Sequence, residues 1–185
     1  MWLTSWPEMR SRLALAAAAA GPLLVWLGGC APSLDWREVR IEGRDATALW
    51  PCKPAAHARM VRLAGPEVRL TLQACQADGM TFGLAAADVS DPSAVGPALR
   101  ALRESSAGNL GAPAARALNL QVPGQTPQPE AGRAAYTGRR PDGKAVQAQV
   151  AVVSRGTVVY QATVLGDRVA DEAAETFIAS LKLGV

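Results

Sequence analysis

The chain has 185 residues, of which 49% are hydrophobic and 19% charged, and its 19 basic and 16 acidic side chains give a net charge of +3. A length of this order fits one domain with one core. The basic groups are scattered rather than clustered, which excludes nucleic acid as the expected partner.

Reading from the N-terminus, Arg10 and Arg12 precede an apolar run from Leu13 to Leu27, and Leu27-Gly28-Gly29-Cys30 closes it with small residues before the cysteine. These are the three parts of an export signal. The run falls short of the roughly 20 apolar residues that cross a bilayer, and Gly21-Pro22 interrupts it, so a permanent span is the weaker reading. The ending resembles a bacterial lipobox. That resemblance implies cleavage before Cys30, a diacylglyceryl chain on its thiol, and membrane attachment through the lipid. Ala31 follows in place of the aspartate of inner-membrane retention signals, which implies the periplasmic face of the outer membrane. Several acyl chains on one cysteine hold a protein at a bilayer without any amphipathic helix. The expected organisation is a signal peptide over residues 1–29, a lipidated tether over 30–41 and a single periplasmic domain over 42–185.

Loss of residues 1–29 takes Glu8, Arg10 and Arg12 with it, leaving 17 basic and 15 acidic side chains. Cys52 and Cys75 are then an even pair in an oxidising compartment, most simply a disulfide. A redox or zinc role is poorly served, because there is no C-x-x-C and only one histidine.

Three hairpins are expected to close through three-residue loops ending in glycine: Ala77-Asp78-Gly79, Pro141-Asp142-Gly143 and Ser154-Arg155-Gly156. Closing the first with Gln76 opposite Met80 sets Ala74, Leu72 and Leu70 against Phe82, Leu84 and Ala86 on one apolar face. Closing the last with Val153 opposite Thr157 sets Val152, Val150, Ala148 and Val146 against Val158, Tyr160, Ala162 and Val164. Upstream, a four-residue loop from Ala64 to Glu67 would place Leu63 opposite Val68 and Arg62 beside Arg69. Two adjacent arginines either splay into water or form an anion site for a phosphate or carboxylate.

Two helices complete the pattern. Asp91-Pro92 reads as an N-cap followed by a proline start, and Val95, Ala98, Leu99 and Leu102 then recur at helical spacing until Gly108. Near the C-terminus Ala170, Ala173, Ala174, Phe177, Ile178 and Leu181 form a second stripe, with Asp171, Glu172 and Glu175 early and Lys182 late, as the helix dipole favours. Residues 123–131, rich in Pro, Gly and Gln, read as an exposed loop. Val159, Thr163 and Leu165 give the last strand a second apolar face. The expected fold is therefore α+β: an antiparallel sheet flanked by helices on both faces, an α/β/α sandwich.

Several segments resemble the PsbP-like group, whose sandwich is shared with the Ran-binding Mog proteins. They are Trp50-Pro51-Cys52-Lys53-Pro54 at the end of an early strand, Thr81-Phe82 opening another, Val159-Tyr160-Gln161 in the last, and Phe177-Ile178-Ala179-Ser180-Leu181 in the final helix. The likeness runs from Glu42 to Leu183. It implies an accessory or assembly role on a membrane surface and no enzymatic activity, and it transfers no catalytic residue.

Chemistry is hard to find directly as well. His57, the lone histidine, follows Pro54-Ala55-Ala56 in an expected loop, with no motif to make it a base or a zinc ligand. Asp88 and Asp91 flank a strand-to-helix turn, where capping accounts for Asp91 better than acid–base work. No catalytic residue, metal or cofactor is expected. Two functions follow: a lipid-anchored envelope module that docks an envelope protein, or a small-molecule or lipid carrier with a cavity between sheet and helix.

Overall fold

The structure, a computed structural model, describes residues 34–112, 115–140 and 142–184. The signal segment and Cys30 lie outside the described residues. In chain order, β1 (Arg37–Arg40) and β2 (Ala46–Trp50) pair first, then β3 (Ala55–Arg62), β4 (Glu67–Ala77) and β5 (Met80–Asp88) form a meander. A 3-10 turn at Pro92–Ala94 leads into α1 (Val95–Asn109). A second meander follows, from β6 (Ala115–Leu118) and β7 (Gly132–Arg139) to β8 (Ala145–Arg155) and β9 (Val158–Gly166). The chain then enters α2 (Asp171–Ala179) and ends in β10 (Lys182–Leu183).

The two meanders join where β9 pairs with β5, giving a seven-stranded antiparallel sheet in the order β3-β4-β5-β9-β8-β7-β6. A separate three-stranded antiparallel sheet has the order β1-β2-β10. This corrects the expected α/β/α sandwich. The described fold is mostly β, ten strands against helices of 15 and 9 residues, and no helical layer closes each face. The reason lies at the two ends of the folded chain. Ala46, Ala48 and Trp50 alternate inward on β2, and Leu183 joins them from β10, so a second sheet covers the face that was assigned to a helix. Folded structure also starts before Glu42, since β1 lies within 37–40 and Leu34 and Trp36 pack on the same core.

Two hydrophobic clusters flank the large sheet. On the face covered by the small sheet, α2 inserts Phe177 between Trp50 and Phe82, with ring centroids 5.0 and 5.4 Å apart and edge-to-face geometry. Such pairs add about 0.5–1.5 kcal/mol each beyond the area they bury. On the other face α1 buries Val95, Ala98, Leu99 and Leu102, the stripe expected from its spacing, against Ala148, Val150, Val152 and Val159.

The hairpin registers differ from expectation in three of four cases, and always in the same way. Ala77 pairs with Met80 through a two-residue Asp78-Gly79 turn, so Leu72 faces Ala85 and Leu70 faces Ala87. Arg155 pairs with Val158 around Gly156-Thr157, so Val153 faces Tyr160. The Leu63 amide donates to the Pro66 carbonyl, closing Ala64-Gly65 and placing Arg62 opposite Glu67. Positive φ at both Asp78 (49°) and Gly79 (70°) is the backbone of a type I′ turn, whose twist matches that of paired strands. The hairpin that closes as expected is Arg140 against Lys144, with Gly143 at φ 82°.

Candidate functional site

The residues flagged as chemistry-bearing are dispersed. Cys52, just after β2, is bonded to Cys75 on β4, so the disulfide ties the small sheet to the large one. His57 is exposed on the edge strand β3, rather than in a loop. Asp91 caps the 3-10 turn, accepting from the Ser93 amide at 2.8 Å and its hydroxyl at 2.7 Å, and these bonds hold its carboxyl below the usual range. The Ser90 amide does the same for Asp88, with help from Thr157. Both carboxylates are thereby committed to the corner between β5 and α1. Among the described residues, no group of three or more His, Cys, Asp or Glu could hold a metal ion.

Arg62 and Arg69 do not face each other. The tighter turn sets Arg69 opposite Met60, so the expected arginine pair is broken by the register. Arg59, three residues earlier on β3 and opposite Leu70, shares the α1 face of the sheet and lines a groove of about 420 Å³ there, whereas Arg62 pairs with Glu67 on the other face and only borders the groove.

The groove arises because α1 packs over β8 and β9 and leaves the β3–β4–β5 side of that face open. Its floor is Leu70, Leu72 and Ala74 of β4, Gly83 and Ala85 of β5, and Thr163 and Leu165 of β9. Ala101, Leu102, Ser105 and Asn109 of α1 form one wall, and Arg59 and Val61 of β3 the other. Small side chains at 74, 83, 85 and 101 give it depth. Leu72, 38% exposed, is one of only two large hydrophobic side chains exposed among the described residues. Ser106 fixes the helix wall: its hydroxyl donates to the Leu102 carbonyl and accepts from Gln161 of β9, both at 2.8 Å. No carboxylate lines the groove, and among the described residues neither Arg59 nor Arg62 takes part in an ion pair. Among the alanines of the strands, Ala74 and Ala85 line the groove. Ala86, Ala148 and Ala162 are buried and let the layers approach.

A second cleft, of about 400 Å³, lies on the opposite face beside α2 and has a mixed polar and apolar lining. Arg133 of β7, only 7% exposed, donates to Glu175 and to Gln149, each at 2.5 Å. Gln149 in turn donates to Asp171 at 2.7 Å. Both carboxylates sit on α2, so the network reads as a latch holding that helix to the sheet. It joins one cation to two carboxylates, and a second cation, Arg116, also lines the cleft. No linear pattern marks Arg133 or Gln149 as buried, and sequence reasoning missed both.

No protein-family model matches this chain, and no curated protein sequence matches it either.

Proposed function

We propose that the chain is a lipid-anchored envelope lipoprotein, held at the periplasmic face of the outer membrane through Cys30, and that its folded body is a non-catalytic binding module. The accessory role implied by the PsbP-like resemblance is of this kind. The observation that carries the reading is the groove between α1 and the β3–β4–β5–β9 surface: apolar, open to solvent and large enough for a ligand, within the 300–1,000 Å³ typical of small-molecule sites. Exposure of Leu72 has a free-energy cost in water, and an occupant would relieve it. A groove between sheet and helix favours the carrier reading over protein docking. One turn of an α-helix, 10–12 Å across with a 5.4 Å pitch, fills about 400–600 Å³, so a docked helix would find room for a single turn.

Two measurements test this. Cells fed an alkyne analogue of palmitate should label the wild-type chain and leave Cys30→Ala unlabelled; equal labelling, or none, removes the anchor. A benzoylphenylalanine placed at Leu72 and photolysed in intact envelopes should add the mass of a small molecule to the chain. A protein-sized adduct would favour docking instead, and the absence of any adduct would remove the groove as a working surface.

A further inference from the structure

We infer that the open edge of β3 receives an extended, acidic segment of another protein, which adds to the large sheet as a further antiparallel strand. The inference goes beyond the carrier reading, because it concerns the edge of the sheet and holds whether or not the groove is filled.

β3 is the outermost strand on its side of the seven-stranded sheet, and no described residue pairs with its outer edge. It runs for eight residues in unbroken register with β4, without proline or bulge, and all but Val61 are exposed. Protected edges are shortened, bulged or interrupted by proline. The hairpin decides which backbone groups are free. Because the Leu63 amide donates to the Pro66 carbonyl, Val61, Arg59 and His57 exchange hydrogen bonds with β4, and the amides and carbonyls of Ala56, Ala58, Met60 and Arg62 point outward. Both ends are held, by the Cys52–Cys75 disulfide just before the strand and by the two-residue turn after it, so β3 has little order left to gain on binding.

Side chains along this edge select the occupant. The register puts Arg59 on the α1 face and Met60 and Arg62 on the other, beside Arg69. An added strand alternates in the same way and meets both sets at once. Glu67 is the only carboxylate on β3 and β4, against Arg59, Arg62 and Arg69, and none of the four takes part in an ion pair. Met60 (58% exposed) and Leu72 are the exposed large hydrophobics among the described residues, and they lie on opposite faces of this same edge. A segment with acids opposite Arg59 and Arg62 and an apolar side chain opposite Met60 complements charge and apolar surface together. A second copy fits poorly. Twofold antiparallel pairing of β3 with itself over most of its length sets Arg59 against its own counterpart or against His57, and supplies no acid.

The test uses the full-length chain in phosphatidylcholine nanodiscs and an end-blocked, β-forming peptide of eight residues, with glutamate at its second and fifth positions and valine at its fourth. Fluorescence polarisation reads affinity, and hydrogen exchange followed by mass spectrometry reads the site. Exchange should slow over residues 55–62, and the peptide should bind about fivefold tighter than its glutamine analogue, as two exposed ion pairs would give. Arg59→Gln/Arg62→Gln should remove that difference; both arginines are exposed, so their replacement leaves the core untouched. N-methylation of the even-numbered peptide amides, which face β3 in this register, should abolish binding, and methylation of the odd-numbered ones should spare it. Equal affinity of the two peptides, unaffected by the arginines, overturns the acidic occupant. Binding that survives both methylations overturns strand addition. Failure of both peptides to bind overturns the proposal and leaves the arginines as charges that keep other strands off the edge. Exchange at β3 that slows with rising protein concentration, in the absence of peptide, assigns the edge to a second copy instead.

Discussion

The two faces of the large sheet are built to different standards of closure. One is sealed: the β1-β2-β10 sheet and α2 cover it, three aromatic rings interlock at its centre, a disulfide staples its edge, and Arg133 latches the helix down. The other is covered by a single helix that leaves the β3–β4–β5 side exposed, with Leu72 on the open floor. The difference separates two tasks. Stability is concentrated where burial is complete, and the open face can keep an apolar surface in water because the sealed face supports the fold.

The largest effect should come from the aromatic cluster. Phe177→Ala removes the ring between Trp50 and Phe82 and should destabilise by about 3–5 kcal/mol, whereas Leu72→Ala on the open face should cost below about 1 kcal/mol. Urea unfolding of both variants checks the contrast, and comparable losses would show that the open face is structural. Next in size is the disulfide. Cys52→Ser/Cys75→Ser frees a loop with a sequence separation of 23, worth about 3 kcal/mol on the chain-entropy model. The fall in thermal midpoint should match that obtained by reducing the wild-type protein.

The latch gives a smaller and asymmetric effect. Glu175 is well exposed and Arg133 is buried, so Glu175→Ala strands a buried cation while Arg133→Met returns Glu175 to water. The first should cost about 1–2 kcal/mol and the second less, as read from urea midpoints. The reverse order would mean that Arg133 acts mainly through its packing.

What could be read from the sequence follows the same division. Both helices were legible because each is apolar on one side only, and the period of that stripe survives whatever it packs against. Strand register was not. β5 and β8 are buried on both faces over much of their length, so apolar alternation could not say which residues share a face, and the requirement of one apolar face selected the wrong loops. The turn chemistry held the better signal, since Asp78-Gly79 is a two-residue hairpin pair in its own right. The small sheet was illegible for another reason: Arg-Glu-Val-Arg has almost no pattern, and β10 is two residues long. Of the candidate site, Leu70 and Leu72 were legible, but as core. Arg59 had no linear partner to draw attention to it, and the groove itself depends on where α1 stops covering the sheet.

Acid should probe the weaker face specifically. Asp88 and Asp91 hold the corner that leads into α1, and Glu130 pairs with Arg100 of that helix at 2.7 Å. All three carboxyls are held below their ordinary range, Asp88 chiefly by the Ser90 amide, Asp91 by the Ser93 hydroxyl and Glu130 by the Arg100 guanidinium. A carboxyl depressed in the folded state binds protons less readily than in the unfolded chain, so its contribution is present above the ordinary carboxylate range and is lost as pH falls through the folded-state value. The urea midpoint should therefore drop between about pH 5 and pH 2.5, and drop less in Asp88→Asn/Asp91→Asn/Glu130→Gln. Native-state hydrogen exchange over the same interval should show α1 losing protection before α2. Simultaneous loss in both helices would mean that the two faces unfold as one unit, and that the open face shares the stability of the sealed one.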